Sequence, residues 1–428
     1  MTLSKEQKHV LTAVKNGDNV FMTGPGGTGK SYLIKNICEM FPYKKVQVCA
    51  LTGCAAELLG SKATTVHRWS GIGVGRGDKS MVVNRVMKKK NIKRNWRKTD
   101  VLIVDEVSMM SVKCFELLNL VGQAIRKNER PFGGIQLVFS GDFFQLPPVG
   151  EDSDKDTSKY CFESKLWNSV FQETVQLKKM YRQTDPLFSK IMKQVRKGGI
   201  SKSTFEILKT RILNKANNKS LAYGKKLNPP QIFPKKDSVK SVNAMEMKKL
   251  TGESKIYTHK ITCPANLSYI PETVIDYEIS TLEKDMNGEL TLELKIGSRV
   301  MCVANLCDKG LVNGSQGVVV DFEDDYPVVE FKNGSVHTIG LHSWASDNIE
   351  GVSIEQVPLI LSWAITIHKA QGITLDSAII DAGQNIFEDG QTYVALSRVK
   401  TLEGLFLGDF DHTKITADPK VVDYYSSL

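Results

Sequence analysis

A phosphate-binding loop near the start of the chain sets the strongest limit on its fold. Residues 24–31 match the pattern G-x-x-x-x-G-K-[ST] at every fixed position: Gly24, Pro25, Gly26, Gly27, Thr28, Gly29, Lys30 and Ser31. An apolar run at residues 20–22 predicts a buried strand before the loop, and the apolar spacing over residues 32–40 predicts a helix after it. This order gathers backbone N–H groups, a helix dipole and the Lys30 charge around phosphate oxygens, with the Ser31 hydroxyl available to Mg²⁺. The loop therefore predicts an α/β fold that binds a nucleoside triphosphate.

The segments that follow the loop alternate between strand-like and helix-like patterns. Apolar strands are predicted at residues 46–51, 101–104 and 135–139, and helical spacing over residues 112–125 lies between the last two. Such alternation predicts a parallel sheet with helices on its faces, where ligands gather at the carboxyl ends of the strands. The phosphate-binding loop, Asp105 and Asp142 each follow a predicted strand, so we expect them to converge on one edge.

Polar residues at these strand ends indicate hydrolysis of the bound nucleotide. Asp105 can hold Mg²⁺, and Glu106 can orient and deprotonate an attacking water. Gln145 follows the next strand and could sense a γ-phosphate, although a structural turn explains it equally well. Arg182 and Arg398 could stabilise charge on a transferred phosphoryl group, but position alone does not separate them from surface arginines among 57 lysines and arginines.

The charge balance favours a polyanionic partner, since the chain has a formal net charge of +10. The densest basic run contains Trp96 and predicts either a nucleic-acid path or a solvated helix face. Its cations are Arg85, Lys88, Lys89, Lys90, Lys93, Arg94, Arg97 and Lys98. No apolar run approaches the ~18 residues of a membrane span. The first residues lack the pattern of a signal or transit peptide, which predicts a cytoplasmic or nuclear location.

A β-rich segment is predicted between residues 290 and 360, because short apolar pieces alternate there with turn signals. Those signals include Asn313-Gly314, Asp324-Asp325 and Asn333-Gly334. Apolar runs at residues 359–361, 377–380 and 404–407 then regain the composition of buried strands, which predicts a second α/β domain interrupted by the β-rich insert. The polar residues 214–230 are predicted to be a connector.

Taken in order, these segments resemble the PIF-type (petite integration frequency) DNA helicases of the RecD-like branch of superfamily one. Residues 131–137, Pro-Phe-Gly-Gly-Ile-Gln-Leu, and residues 141–149, Gly-Asp-Phe-Phe-Gln-Leu-Pro-Pro-Val, carry most of the similarity. The resemblance implies an α/β fold with two RecA-like parallel-sheet motor domains, residues 1–176 and 177–428. It also implies a wedge-like insertion at about residues 64–98 and a small SH3-like β-barrel insert at about residues 294–357.

The resemblance further implies the roles of individual residues. Gln7 matches a glutamine that reads adenine, so the nucleotide is expected to be ATP. Ser31 and Asp105 would bind Mg²⁺, Glu106 would be the general base, and Gln145 would sense the γ-phosphate. Arg182 and Arg398 match the two arginines that complete the ATP site. The expected DNA contacts are Thr52, Thr65, His67, Asn313, Thr366, His368 and Lys369.

The function implied is that of an ATP-dependent DNA helicase. It would travel 5′ to 3′ on single-stranded DNA as a monomeric motor, unwind duplex junctions and use ATP with Mg²⁺. Arg68 and residues 231–234 and 390–393 depart from the family pattern, which bears on fine DNA contacts rather than on catalysis.

Two other classes of protein stay open on the residues alone. A nucleotide kinase also uses a phosphate-binding loop, but its hydrolysis of ATP would ignore added DNA. An inactivated motor could bind DNA as a scaffold, although the intact Lys30, Ser31, Asp105 and Glu106 argue against it. A translocase that does not unwind duplexes is a variant of the main hypothesis.

Overall fold

The computed structural model describes residues 3–60, 63–73, 75, 77–151, 154–183, 185–213, 229–264, 267, 270–286, 288–306, 309–311, 313–346 and 349–428. The chain divides into two compact units. The first contains residues 1–229 and 370–428, and the second contains residues 230–369. Most of the predicted connector, residues 214–228, lies outside the described residues.

The strands are numbered in chain order. They are β1 Val20–Thr23, β2 Val46–Ala50, β3 Thr64–Thr65, β4 Val101–Asp105, β5 Gln136–Gly141, β6 Glu173–Gln176, β7 Gln231–Phe233, β8 Lys255–Thr258, β9 Lys260–Thr262, β10 Thr291–Leu294, β11 Arg299–Cys302, β12 Gln316–Glu323, β13 Tyr326–Phe331, β14 Val336–Thr338, β15 His342–Ala345, β16 Ser353–Gln356, β17 Leu359–Leu361, β18 Ala364–Thr366, β19 Ala378–Ala382 and β20 Leu405–Phe410.

The α-helices are numbered in the same way. They are α1 Lys5–Asn16, α2 Lys30–Met40, α3 Gly53–Leu58, α4 Val66–Ser70, α5 Lys79–Met87, α6 Lys90–Lys98, α7 Val112–Arg126, α8 Trp167–Val170, α9 Pro186–Arg196, α10 Lys202–Lys209, α11 Lys236–Lys249, α12 Glu272–Asp285, α13 Ile367–Ala370, α14 Gln391–Leu396 and α15 Pro419–Ser426. No helix in the described ranges is long and apolar enough to cross a membrane.

A six-stranded parallel sheet forms the centre of the first unit, with strand order β3-β2-β4-β5-β1-β6. Strands β1 and β4 are buried along their whole length, as expected for a parallel sheet covered on both faces. The predicted strands and the predicted helix at residues 112–125 are confirmed. Because β4, β5 and β1 are neighbours, the loops that follow them meet at one edge, as the sequence predicted. The protein is therefore a mixed α/β protein with a RecA-like parallel sheet.

One face of this sheet is covered by helices α1 and α2, whose apolar residues share a core with β1, β4 and β5. Ser4 begins α1 with a reciprocal capping box, and the left-handed Gly17 ends it. The other face carries an interlocking aromatic cluster. Its rings belong to Phe21, Phe115, Phe139, Phe143, Trp167 and Phe171.

The predicted insertion at residues 64–98 contains β3 and the helices α4, α5 and α6. Its helices α4 and α6 pack on each other through two tryptophans, Trp69 and Trp96, whose rings lie 4.6 Å apart. The insertion is joined to helix α7, where Arg126 Nη1 donates to the Trp96 carbonyl oxygen at 2.8 Å. The Trp96 indole N–H also donates to the Ser70 carbonyl oxygen at 3.1 Å. Trp96 is completely buried, so the exposed cations of α6 lie on a helix whose other face is packed into the protein.

The second unit is rich in antiparallel strands, as predicted. One sheet has the order β14-β13-β12-β11-β17. A second, smaller sheet pairs β10 with β8, and a third has the order β15-β16-β9. Asp324 and Asp325 both have positive φ, at 48° and 65°, and form the predicted tight turn between β12 and β13. Asn333-Gly334 joins β13 to β14. Asn313-Gly314 instead lies in the longer connection between β11 and β12.

One predicted strand pairs differently from what the sequence suggested. Residues 359–361 were expected to resume the α/β pattern, but β17 pairs antiparallel with β11 in the β-rich sheet. The parallel pattern resumes three residues later, where β18 pairs with β7. A run of three apolar residues fits either sheet, because periodicity cannot distinguish them at that length. In the first unit, β19 and β20 form the expected parallel pair.

Candidate functional site

A cavity of about 340 Å³ lies at the carboxyl edge of the parallel sheet, wholly within the first unit. We call it the P-loop cavity. Its lining includes most of the residues to which the sequence assigned nucleotide chemistry: Gly26, Gly27, Gly29, Lys30, Ser31, Asp105, Glu106, Gln145, Arg182 and Arg398. These residues come from five separate segments of the chain, and the fold brings those segments together around one cavity.

The phosphate-binding loop requires glycine at two crowded positions. A Cβ at Gly24 would lie 2.5 Å from the Leu177 carbonyl oxygen, and one at Gly27 would lie 2.4 Å from the Arg182 Cβ. Both residues also have positive φ, at 150° and 83°. The loop therefore packs against residues 177–182 at distances that exclude any side chain.

The side chain of Lys30, which is predicted to bind phosphate, folds back onto the phosphate-binding loop. Its Nζ donates to the carbonyl oxygens of Gly24 at 2.7 Å and Pro25 at 3.2 Å. Burial lowers the pKa of this amine, while the charges of Asp142, Glu106 and Asp105 oppose that shift. The side chain is 9% exposed, so its charge is largely removed from water.

The acidic pair lies at the carboxyl end of β4, where Asp105 is the last residue of the strand and Glu106 follows it. Glu106 has the left-handed conformation φ 56°, ψ 41°, a strained geometry for a residue with a side chain and one that is concentrated at functional sites. Its Oε2 accepts a hydrogen bond from Gln371 Nε2 at 3.1 Å. Burial and the neighbouring Glu106 charge raise the pKa of Asp105 to about 6. A bound cation would relieve this unfavourable burial of negative charge.

The oxygen atoms of Ser31 and Asp105 fit Mg²⁺ better than a metal that prefers nitrogen or sulfur. Both residues line the P-loop cavity, and hard oxygen ligands suit this ion. Within the described ranges, no group of three or more His, Cys, Asp or Glu could hold a metal on its own.

Arg182 and Arg398 bring positive charge to the same cavity, and neither forms an ion pair with a carboxylate among the residues that the structure describes. Arg398 is 2% exposed, and its Nε donates to the Val394 carbonyl oxygen at 2.8 Å. Arg182 Nη1 donates to the Ser397 carbonyl oxygen at 3.2 Å. Burial lowers the pKa of both guanidinium groups, and the Arg182 charge lowers that of Arg398 further. Two neighbouring cations of this kind favour an anion in the cavity.

Gln7 lies beside the phosphate-binding loop, and its role in reading adenine stays a prediction. Its Nε2 donates to the Thr28 carbonyl oxygen at 3.3 Å, and its Oε1 accepts from the Tyr181 hydroxyl at 3.3 Å. The same oxygen accepts the Ser4 N–H in the capping box of α1. Gln7 therefore joins the first helix to the nucleotide loop.

A buried polar network under the loop was not predicted from the sequence. Asp142 is completely buried and forms a bidentate ion pair with Arg196, with distances of 2.9 and 2.7 Å. The Tyr393 hydroxyl donates to Asp142 at 3.1 Å and accepts the Gly26 N–H at 3.0 Å. The Tyr425 hydroxyl accepts the Phe143 N–H at 3.2 Å. Asp142 had a sequence signal, since it follows a strand, but its partners had none.

The predicted DNA contacts of the first unit lie where β2 and β3 pass into short helices: Thr52 precedes α3, Thr65 ends β3, and His67 belongs to α4. Thr52 Oγ1 accepts the Ala55 N–H at 3.2 Å, and Thr65 Oγ1 accepts the Arg68 N–H at 3.3 Å, so each threonine caps a short helix. His67 is half-buried, and burial lowers its pKa to about 4, which keeps the ring neutral. These three residues are therefore placed by local structure, and their contacts with DNA stay predictions.

The other predicted DNA contacts belong to the second unit. Thr366 Oγ1 accepts the Lys369 N–H at 3.2 Å, which makes it a helix cap like Thr52 and Thr65. Burial lowers the pKa of His368, and the Lys236 charge lowers it further. Asn313 is only 5% exposed, and its N–H donates to Asn305 Oδ1 at 2.9 Å. Its neighbour Val312 in the predicted segment lies outside the described residues.

Comparison with known proteins identifies the family. Residues 2–206 match the family model described as PIF1-like helicase, and residues 280–322 match that of the DNA helicase Pif1 2B domain. The ATP-dependent DNA helicase PIF1 of Danio rerio is 37% identical over 432 residues, which cover 100% of this chain and 64% of that protein. The ATP-dependent DNA helicase RRM3 of Saccharomyces cerevisiae is 31% identical and is covered to 68%, again with 100% of this chain.

A solved structure supports the same assignment. The crystal structure of Pif1 helicase from Candida albicans is 32% identical, covers 100% of both chains and superimposes with a TM-score of 0.83. The chain spans somewhat under two thirds of the Danio rerio protein. From the matched model, the two relatives and the shared fold, this chain belongs to the PIF1-like helicase family.

Proposed function

We propose that the protein is an ATP-dependent DNA helicase that travels along single-stranded DNA and unwinds duplex DNA. The main support for this proposal is the P-loop cavity, because the loop, the acidic pair, Arg182 and Arg398 all line it. This combination suits a triphosphate that is hydrolysed rather than merely stored. The direction of travel, 5′ to 3′, is proposed from the family resemblance.

In this proposal the cavity binds Mg·ATP through the protein's own groups. Backbone N–H groups of residues 24–31 and the Lys30 amine would contact the phosphates, after Lys30 exchanges its present carbonyl partners for phosphate oxygens. Ser31 and Asp105 would hold Mg²⁺, which neutralises charge on the phosphate oxygens when it is bound. Gln7 would favour adenine as the base.

Hydrolysis then depends on Glu106. The carboxylate would orient a water and accept its proton, while Arg182 and Arg398 stabilise negative charge that develops on the transferred phosphoryl group. Both guanidinium groups are already held by backbone carbonyl oxygens, so little reorganisation would be needed during the reaction.

Gln371 offers a route from the nucleotide to the DNA. Its Nε2 donates to Glu106 Oε2 and lies 3.5 Å from Gln145 Oε1. In the sequence it belongs to residues 365–372, which also contain the predicted DNA contacts Thr366, His368 and Lys369. Loss of the γ-phosphate would change the partners of Gln371 and so alter the grip of this segment on DNA.

The remaining parts of the proposal concern partners and organisation. We propose single-stranded DNA and duplex junctions as substrates, a monomeric motor, and a cytoplasmic or nuclear location. Two motor domains at residues 1–176 and 177–428, a wedge within residues 64–98 and an SH3-like insert at about residues 294–357 complete the proposed organisation.

Tailed duplexes test the proposal. Purified protein is mixed with a labelled duplex that carries a 5′ single-stranded tail, a 3′ tail or no tail, with and without Mg·ATP. Strand separation should require ATP and occur on the 5′-tailed duplex. Separation only from the 3′ tail would overturn the direction, and ATP hydrolysis that ignores every DNA would favour a nucleotide kinase. DNA binding without hydrolysis would favour a scaffold.

A further inference from the structure

A second polar pocket, of about 280 Å³, lies on the first unit beside helix α6. We call it the α6 pocket. Lys45, Arg94 and Lys98 supply its cations, and Asn91 and Asn95 add amide groups. Asn91, Arg94, Asn95 and Lys98 follow the helical spacing i, i+3, i+4, i+7, so a single face of α6 forms one wall.

The α6 pocket lies at the edge of the sheet opposite the P-loop cavity. Lys45 immediately precedes β2, and Thr99, which also lines the pocket, lies two residues before β4. In a parallel sheet, all strands begin at one edge and end at the other. Strands of five residues separate the two edges by roughly 16 Å. A group bound here is therefore distinct from the nucleotide in the P-loop cavity.

The three cations of this pocket have no carboxylate partner within the described ranges. Lys45, Arg94 and Lys98 are exposed, and none forms an ion pair there, whereas other lysines such as Lys79 do. Asp100 is close to the pocket, since its Oδ2 accepts the Lys45 backbone N–H at 2.8 Å. The local charge is therefore positive even with this carboxylate counted.

Helix α6 keeps this charge at a cost in its own stability. It contains five cations and no acid: Lys90, Lys93, Arg94, Arg97 and Lys98. Three like-charge pairs at i, i+4 each destabilise an isolated helix by about 0.2–0.5 kcal/mol. The fold compensates through the buried face, where Ile92 and Trp96 are 3% and 0% exposed. An anionic partner would relieve the repulsion.

We propose that the α6 pocket binds the phosphate backbone of duplex DNA, outside the single-strand path. The positive charge of the pocket favours phosphate groups as its ligand. Among the residues described there, the pocket offers no exposed aromatic ring on which a base could stack, and this favours a duplex over a single strand. Proteins that hold single strands usually stack bases on aromatic rings, but Trp69, the aromatic residue of this pocket, is 4% exposed and packs on Trp96.

This inference rests on the proposed helicase function, because that function supplies the reason to expect duplex DNA as the partner of the α6 pocket. A helicase that works on one strand at the sheet's carboxyl edge would meet the unopened duplex elsewhere on its surface. A row of cations on one face of a helix would contact that duplex without reading its sequence, because phosphate contacts position a protein but do not specify bases.

The experiment compares two double variants that each remove two positive charges. Arg94→Gln with Lys98→Gln alters the α6 pocket, and Lys190→Gln with Lys193→Gln alters two exposed lysines of α9 as the matched control. Each protein is titrated without nucleotide into a labelled blunt duplex of 20 base pairs and a labelled oligo-dT of 20 nucleotides. Anisotropy is measured at several NaCl concentrations.

The pocket variant should bind the blunt duplex about 10-fold more weakly than wild type at 0.1 M salt. Its slope of log K against log salt should flatten by up to about 1.8, or 0.9 for each lost contact. Its affinity for oligo-dT should stay within about threefold of the control variant's. A charge-keeping variant, Arg94→Lys with Lys98→Arg, should retain duplex binding, which separates lost charge from misfolding.

Three results would overturn the proposal. The pocket variant could match the control variant on the duplex, or lose affinity equally for both DNAs, which would place the pocket on the single-strand path. Wild type could also bind oligo-dT but not the blunt duplex. In each case unwinding of the 5′-tailed duplex by wild type is measured in parallel, so failure of this surface is distinguishable from failure of the proposed helicase activity.

Discussion

The two edges of the six-stranded sheet hold positive charge in opposite ways. At the carboxyl edge, Lys30 and Arg398 are 9% and 2% exposed and are fixed by backbone carbonyl oxygens. At the amino edge, Arg94 and Lys98 are exposed and have no ion-pair partner in the described part of the chain. Buried charge interacts strongly and suits one ligand of defined shape, whereas exposed charge is screened by salt and suits a long polyanion. Single substitutions should therefore act very differently at the two edges.

Removal of the loop lysine should give the largest effect. Lys30→Ala deletes the main charge on the bound phosphates, so we expect ATP hydrolysis to fall to background, by at least about 10³-fold. Lys35→Ala removes an exposed lysine from the same helix and should leave the rate within about twofold. The rate of phosphate release is measured with saturating single-stranded DNA. Equal rates for the two variants would contradict the claim that the buried lysine matters more for hydrolysis than the exposed one.

The buried ion pair under the loop should matter next, through stability. Asp142→Ala leaves the Arg196 guanidinium buried without a counter-charge, which should lower the free energy of unfolding by about 3–5 kcal/mol. The exposed pair Lys400–Asp376 is the control, since Asp376→Ala should cost at most about 1 kcal/mol. Urea unfolding followed by tryptophan fluorescence measures both. Similar losses would mean that burial does not set the strength of these pairs.

Glu106→Gln separates binding of the nucleotide from its hydrolysis. The amide keeps the size of the side chain but cannot accept a proton, so turnover should fall by about 10²-fold or more while the Kd for ATP changes little. Glu39→Gln, an exposed change on α2, is the control. Steady-state hydrolysis and equilibrium binding of a fluorescent ATP analogue are measured together. Turnover within a few-fold of wild type would count against Glu106 as the base.

Tyr393→Phe should give the smallest effect and tests whether the buried network positions the loop. It removes the hydroxyl that accepts the Gly26 N–H and donates to Asp142. Loss of one buried hydrogen-bonding group costs about 1–3 kcal/mol, and we expect the Kd for ATP to rise by about 10-fold. Tyr277→Phe, on an exposed side chain of the second unit, should change nothing measurable. An unchanged Kd for Tyr393→Phe would show that the loop does not depend on this network.

The sequence predicted the parts of the site that follow directly from local pattern. Lys30 and Glu106 follow apolar strands and Asp105 ends one, and parallel pairing of β1, β4 and β5 brings those strand ends together. The tight turn at Asp324-Asp325 was predictable for the same reason, because its signal is contained in adjacent residues.

What the sequence missed depends on residues that are distant in the chain. Arg196 is 54 positions from Asp142, and Tyr393 is 251 positions from it, so no local pattern could pair them. Arg182 and Arg398 could be assigned only through family resemblance, since many other arginines and lysines have similar surroundings in the sequence. Leu359–Leu361 was too short a run for its composition to reveal which sheet it joins.

The central claim is that ATP hydrolysis in the P-loop cavity is coupled to single-stranded DNA. The most direct test measures the hydrolysis rate of wild-type protein while an oligo-dT strand is titrated in, with Lys30→Ala as the background. The account predicts a rate that rises with DNA and saturates, and that remains at background in the variant. A wild-type rate that is the same with and without DNA would contradict it.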